Sequence, residues 1–306
     1  MPHSSPHQTM RKEKQQNSAA VRYVVVSAVR DEADHLEHTI RSMVNQTIRP
    51  RQWVIVNDGS RDQTGEIIDR WAAEHSWILP VHRADRGRRE PGTGVVEAFY
   101  DGYNQLVSDD WDYVVKLDGD LGFEPDYFEK CFAEFDAEPK LGIGGGVICH
   151  DRDGVLEVEG NPRFHVRGAN KMYRRATWEG IGGLFKAPGW DTIDEVKANM
   201  LGWSTKSFPE LKVRHYRFTG AAKGPWSNAI KNGRGSYIAG YHPLFMLVKC
   251  VKHIAEWPFF VNAAGLAYGY VSCYFQGTPQ ISDQRLIEYI RAQQMRRLLF
   301  RRSVWQ

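Results

Sequence analysis

From Arg22 onward the chain switches repeatedly between two hydrophobic periods. Arg22-Tyr23-Val24-Val25-Val26-Ser27 is a short β-branched run and predicts a strand. Leu36, Ile40, Met43, Val44 and Thr47 then recur at helical spacing. Gln52 to Asn57 predicts a second strand, Asp58-Gly59-Ser60 supplies turn chemistry, and Ile67, Ile68, Trp71 and Ala72 mark the inward face of a helix. A third unit repeats the plan. Trp77 to Val81 predicts a strand, residues 83–94 an Arg- and Gly-containing loop, and Val96, Phe99, Tyr100, Tyr103 and Val107 a helix that leads into a strand ending at Asp118. Strands alternating with helices imply an α/β fold, with a doubly wound sheet covered on both faces. In such sheets ligands collect beyond the carboxyl ends of the strands, which directs attention to loops 29–34, 57–62, 86–94 and 118–123.

The last of these loops carries the strongest chemistry. Tyr113 to Phe123 reads Tyr-Val-Val-Lys-Leu-Asp-Gly-Asp-Leu-Gly-Phe, a strand that ends in two carboxylates one residue apart. Side chains at i and i+2 of a strand point to one side, so Asp118 and Asp120 are expected to face one ligand, with Gly119 letting the chain turn between them. Adjacent carboxylates repel unless a cation intervenes, and hard divalent ions such as Mg²⁺ or Mn²⁺ take oxygen ligands of this kind together with substrate phosphates. The competing interpretation is a solvated turn, since Asp and Gly are ordinary turn residues.

Composition narrows the partners. The 306 residues are 42% hydrophobic and 25% charged, the balance of a globular protein. A net charge of +3, with no basic run interleaved with aromatics, argues against nucleic acid. Cys131, Cys149, Cys250 and Cys273 form no C-x-x-C pair, so no zinc pattern is present and a reducing compartment is expected. Residues 1–20 are polar and lack the apolar core of a signal peptide, which places the catalytic part in the cytoplasm as an expectation.

Four ordered blocks carry a family resemblance: Ser27-Ala28-Val29-Arg30-Asp31-Glu32; Leu36, Ile40, Ser42 and Gln46; Val56-Asn57-Asp58-Gly59-Ser60 with Asp62 and Thr64; and Leu117-Asp118-Gly119-Asp120. Over roughly residues 22–220 the chain resembles family 2 glycosyltransferases of the GT-A fold. The resemblance implies a mixed α/β sheet and an enzyme that binds a nucleotide-diphospho-sugar with a divalent metal, Mn or Mg, and transfers the sugar with inversion. A UDP-sugar is the expected donor. It also implies roles: Asp58 accepts from the base, Glu32 approaches the ribose, Arg86 with Arg88 and Arg89 faces the diphosphate, Asp118 lies near sugar or ribose, and Asp120 ligates the metal. His215 would add a third metal ligand or a phosphate contact; His150, His165 and His242 receive no role. Asp191 stands where the family's catalytic base stands. The usual Glu-Asp pair is replaced by Trp190-Asp191, so Asp194 is a rival base, and an acidic helix N-terminus over Asp191, Asp194 and Glu195 is the structural alternative.

The C-terminal third raises a membrane question. Leu244, Leu247, Val248, Val251 and Ile254 alternate with Lys249, Lys252, His253 and Glu256 as in a helix lying in a membrane interface. Residues 259–275 carry no charge and contain Gly265-x-x-x-Gly269, which allows close helix packing; the run is short for a span of about 20 residues. Basic flanks on both sides argue for an in-plane or re-entrant hairpin as readily as a span, and a helix buried in a homo-oligomer is the soluble alternative. The expected organisation is therefore a polar segment 1–20, a nucleotide-sugar half 21–122, an acceptor half 123–220, membrane-associating helices 221–282 and a basic tail 283–306. The expected partners are the donor, a glycan or lipid-linked acceptor and the cytoplasmic face of the inner membrane, with one sugar added rather than a polymer, although Gln294 to Leu298 faintly echoes the Q-x-x-R-W element of processive synthases. A sugar nucleotidyltransferase or an NAD-dependent dehydrogenase would need a glycine-rich loop after the first strand, and Ser27 to Asp34 has no glycine. A non-catalytic nucleotide-binding scaffold is the non-enzymatic rival.

Overall fold

The structure, a computed structural model, describes residues 21–87, 93–152, 154–217, 224–255 and 257–305. Residues 1–20, Arg88, Arg89 and Glu256 lie outside the described residues. Strands β1 (Tyr23–Val29), β2 (Gln52–Asn57), β3 (Ile78–His82) and β4 (Tyr113–Leu117) form the parallel part of the sheet, in the order β3-β2-β1-β4. Beyond β4 the sheet becomes mixed. β8 (Asn170–Arg174) enters antiparallel between β4 and β6 (Leu141–Arg152), β9 (Ser204–His215) runs parallel to β6, and the two-residue β5 (Leu121–Gly122) closes the edge against the end of β9. A short β7 (Val155–Val158) pairs with the far end of β6.

The alternation in β1 divides the core. Tyr23 and Val25 pack with α1 (Leu36–Val44), α2 (Thr64–Glu74) and α4 (Tyr127–Ala137) through Leu36, Ile40, Met43, Ile68, Phe128 and Phe132. Val24 and Val26 point to the opposite face, toward Val96 and Phe99 of α3 (Thr93–Tyr103) and Trp178 of α5 (Arg175–Ile181). Each fully buried side chain of this size contributes about 1.5–3 kcal/mol, so the parallel half rests on two apolar layers rather than one. α3 stops at Tyr103 and leaves Val107 exposed, short of the predicted helix, because the polar Asn104-Gln105 turn carries the chain off the sheet before that residue can reach apolar surface.

The C-terminal third is helical: α6 (Trp190–Met200), α7 (Gly224–Ile238), α8 (Pro243–Lys252), α9 (Val261–Phe275) and α10 (Gln284–Leu298). Gly265 and Gly269 do mediate close helix packing, against α7 of the same chain. A Cβ on Gly265 would lie 2.6 Å from that of Ala229, and one on Gly269 would run into the Ile230 carbonyl oxygen. Among the described residues no helix is long and apolar enough to cross a membrane; the uncharged 259–275 run yields a 15-residue helix with Leu266, Tyr270 and Cys273 buried. Gln294 is wholly buried and accepts the His242 N–H at the head of α8, at 2.8 Å, so it braces that helix instead of lining the cleft.

Candidate active site

A cleft of about 890 Å³ opens at the carboxyl ends of β1, β2 and β4 and is bounded on its far side by α6, α7 and α8. Glu32, Asp58, Asp118, Asp120, Asp191 and His215 all line it. Six positions spread over more than 180 residues of sequence thus converge on one space.

Asp118 and Asp120 follow β4 directly. The Asp118 N–H donates to Ala169 O at 2.8 Å, and the ammonium of buried Lys116 pairs with Asp118 Oδ1. Gly119 does not adopt a positive φ, so its role is not the sharp turn expected of it. Its backbone is pressed against β1: a Cβ there would collide with Val29 Cγ1 and lie 3.3 Å from Leu36. Close approach, not conformational freedom, is what demands glycine.

β5 and β9 then bring His215 beside the second aspartate. Leu121 pairs with His215 across the sheet edge, Tyr216 N–H donates to Asp120 O at 2.9 Å, and His215 Nε2 lies 3.1 Å from Asp120 Oδ2. Burial disfavours the charged imidazole, but the hydrogen bond and charge of Asp120 outweigh it and raise the His215 pKa. Burial likewise opposes ionisation of Asp120, and His215 overrides it and lowers that pKa. Asp120 Oδ1 is buried with no hydrogen-bond partner among the described residues. An acceptor atom left this way, beside an imidazole and a second carboxylate, fits a divalent cation. Asp120 and His215 would be its protein ligands. His150 and Glu159 extend the group: His150 Nε2 lies 2.7 Å from Glu159 Oε1, and ligand atoms of His150, Glu159 and His215 fall within 4.8 Å of one another. The sequence offered no pattern for these two, because only the β6–β7 pairing brings them to the end of β9.

Asp58 and Glu32 are buried and held by arginines. Arg83 Nη1 and Arg86 Nη2 reach the two Asp58 carboxylate oxygens at 2.6 and 2.5 Å, and Arg30 donates to the Asp58 carbonyl at 2.8 Å. Arg86 also contacts Glu97 at 3.3 Å, so in this structure it fixes Asp58 and α3. Glu32 accepts from Arg217 at 2.6 Å, and its own N–H donates to Thr64 Oγ1 at 2.9 Å. Thr64 was visible as part of a motif; Arg83 and Arg217 were not, since each meets its partner only through the folded sheet.

The two candidate bases part company in α6. Gly189, at φ 82°, starts the helix, and Trp190 packs beneath the Lys116 and Lys171 ammonium groups, each 5.6 Å from its ring. Asp191 lines the cleft, and among the described residues its carboxylate makes no hydrogen bond or ion pair. Burial would raise its pKa, but Lys171, then His165 and Arg167, outweigh that and hold it below the ordinary carboxylate value. Asp194 is wholly buried and does not line the cleft. It accepts from Lys171 Nζ at 2.8 Å, from Tyr173 OH at 2.5 Å and from Glu195 N–H at 2.7 Å. Glu195 continues the network to His165 Nδ1 at 2.9 Å and Val166 N–H at 2.6 Å. Desolvation pushes Asp194 up to about 6 despite Lys171.

The model of Glycosyl transferase family 2 matches residues 24–186, just over half of the chain. Among curated proteins the chain is similar to poly-beta-1,6-N-acetyl-D-glucosamine synthase of Staphylococcus aureus (strain MSSA476), 27% identical over 140 residues, which are 45% of this chain and 28% of that protein. It is also similar to chondroitin synthase of Pasteurella multocida (strain Pm70), 29% identical over 103 residues, 34% of this chain and 10% of that protein. The match thus spans under a third of the length of either relative. Among solved structures, the mannosyltransferase PcManGT from Pyrobaculum calidifontis in complex with GDP-Man and Mn²⁺ matches with a TM-score of 0.53 at 15% identity, covering 97% of this chain and 83% of that one. GalNAc-T7 with UDP, GalNAc and Mn²⁺ matches with a TM-score of 0.57 at 12% identity, covering 86% and 58%. These likenesses establish a glycosyltransferase-type α/β fold with a mixed sheet. With its strand-end acidic motif inside the matched region, the chain belongs to glycosyl transferase family 2.

Proposed function

We propose that this chain is an inverting transferase that moves a sugar from a UDP-sugar to a hydroxyl of a lipid-linked glycan at the inner face of a membrane. The observation that carries the reading is the shared cleft: a carboxylate without a partner among the described residues, Asp191, opens into the same space as the Asp120–His215 pair and the arginine-held Asp58. Asp58 and Glu32 would accept from the base and ribose, and Arg86 would turn from Asp58 toward the diphosphate once the donor enters. A divalent metal held by Asp120 and His215 would supply charge neutralisation at the leaving diphosphate. Lys116 pairs with Asp118 beside it and opposes the burial that raises the Asp118 pKa.

Asp191 is the base in this reading. The acceptor hydroxyl forms a bond to the anomeric carbon as the bond from that carbon to the diphosphate oxygen breaks, and the hydroxyl proton passes to Asp191. A carboxylate below its ordinary pKa is ionised throughout the neutral range, so it is ready to accept. Asp194, enclosed by Lys171 and Tyr173, is instead the post that holds the first turn of α6 in place. The polysaccharide synthases to which the chain is similar support a glycan acceptor. An exposed apolar stripe on α8, Leu244, Leu247, Val248 and Val251, supports the membrane surface.

Calorimetric titration with UDP, GDP, ADP and CDP, with and without Mn²⁺, on wild type and Asp120→Asn tests the donor site. Metal-enhanced UDP binding that Asp120→Asn weakens is expected. Absence of nucleotide binding in every condition sinks the reading and puts a scaffold role in its place.

A further inference from the structure

The two sides of the cleft differ in charge. Carboxylates line it along the strand ends, whereas the face of α7 turned toward it presents Asn228, Lys231, Asn232 and Ser236, and α8 adds Lys249. The spacing of the α7 residues, three and four apart, puts them on one stripe. Behind this wall a second cavity of about 290 Å³ lies between α7, α8 and α9 and shares Asn228, Asn232 and Lys249 with the cleft. Among the described residues no acidic side chain lines it.

Lys249 stands at the junction of the two spaces. Its ammonium lies 5.7 Å from the Tyr241 ring and forms no ion pair among the described residues. Burial lowers its pKa, and no carboxylate among the described residues offsets the loss. A desolvated ammonium in a chamber lined by Asn228 and Asn232, with no anion beside it among the described residues, is half of a charge-assisted contact. The other side of the same helix is apolar and open: Leu247 is 61% exposed and Val251 59%, and beyond it Trp257 reaches 81% and Phe260 66%. One helix therefore joins a cation inside the cleft to an apolar stripe outside it.

We propose that the Lys249 chamber is a subsite for the phosphate that links the acceptor glycan to its lipid, with the lipid chain resting on the exposed stripe of α8. This deepens the acceptor assignment above and rests on it. The phosphate accepts from the Lys249 ammonium and from amide N–H groups of Asn232 and its neighbours. A lipid-borne phosphate fits better than a free one because the cation and the apolar stripe lie within one turn of the same helix.

Vesicle binding by the full chain tests this. Phosphatidylcholine vesicles containing dioleoylphosphatidic acid are compared with vesicles brought to the same surface potential by oleate, which carries no phosphate. Wild type is expected to prefer the phosphatidic acid vesicles by about tenfold, the scale of one desolvated charged hydrogen bond. Lys249→Met abolishes the preference, Lys249→Arg keeps it, and Lys252→Met, which removes an exposed charge from the same helix, weakens binding to both vesicles equally. A preference that survives in Lys249→Met, or equal binding by wild type, overturns the proposal. Lys249-dependent binding of inorganic phosphate without vesicle preference also overturns it and assigns the chamber to a soluble phosphate. Thermal melting of each variant separates lost contact from lost fold, and Lys249→Arg keeps the comparison decisive if Lys249→Met melts early. UDP titration of the same wild-type preparation reports on the transferase reading separately, so the two failures are told apart.

Discussion

Lys171 Nζ sits 2.8 Å from Asp194 Oδ1, and both side chains are fully removed from water. Lys171 comes from β8 and Asp194 from α6, so this pair ties the inserted antiparallel strand to the helix that presents Asp191. Removing one partner leaves a buried charge. Asp194→Ala is expected to destabilise the protein by about 3 kcal/mol, the lower part of the range for a broken buried pair, because Glu195 remains 3.0 Å from Lys171. Asp191→Asn is expected to leave the unfolding midpoint almost unchanged while lowering transfer by about 10²–10⁴-fold, the usual contribution of a general base. Urea unfolding beside a transfer assay checks both, and the reverse pattern would exchange the roles.

The pH profile separates the same two carboxylates. Asp191 lies below the ordinary carboxylate value and Asp194 is pushed up to about 6. The base works only when ionised, so with Asp191 in that role the acidic limb of kcat/KM falls below about pH 4, the ordinary carboxylate pKa. A limb near pH 6 that disappears in Asp194→Asn would make Asp194 the base.

Gly119 offers a test of packing. An added methyl at that position meets Val29 and Leu36, both fully packed under the sheet, and neither can move without disturbing β1 or α1. Gly119→Ala is expected to cost about 1–3 kcal/mol as an overpacking defect and to weaken Mn²⁺-dependent UDP binding by displacing both aspartates. Stability unchanged with nucleotide affinity lost would leave the collision without effect and point to the loop alone.

The stripe on α8 predicts a separable phenotype. Leu247→Glu with Val251→Glu places two charges on exposed positions, so the melting temperature is expected to stay within the small range typical of surface changes. Association with anionic vesicles is expected to fall at least tenfold by co-sedimentation, since each change replaces apolar contact with a repelling charge. Undiminished association would remove α8 from the membrane assignment.

What could be read from the chain alone follows the range of the interactions. β1 to β4 and their helices were legible because each declares itself within ten residues by period, and the acidic pair was legible because it directly follows a strand, where ligands collect in such sheets, although both residues lie beyond the end of β4. Asp120 and His215 are 95 residues apart, and no periodicity joins them; His215 was a candidate third ligand only by its place after a likely strand. Asp194 stood as the rival base to Asp191, and nothing local in the sequence showed that β8 brings Lys171 and Tyr173 around it. Gly119 illustrates a right residue with the wrong reason: turn chemistry is local and readable, whereas the approach of Val29 from β1 is not. Lys249 lay in view on the polar side of an amphipathic helix and looked solvated; that it turns into the cleft depends on how α8 packs near Tyr241.

One continuous sheet underlies the cleft from its Asp58 end to its His215 end, with β8 hydrogen-bonded to β4 on one side and to β6 on the other. Such a floor behaves as a plate and not as two leaves about a spine. Asp58, Asp120 and His215 are all carried at the ends of its strands, so one hydrogen-bonded ladder sets the spacing between them.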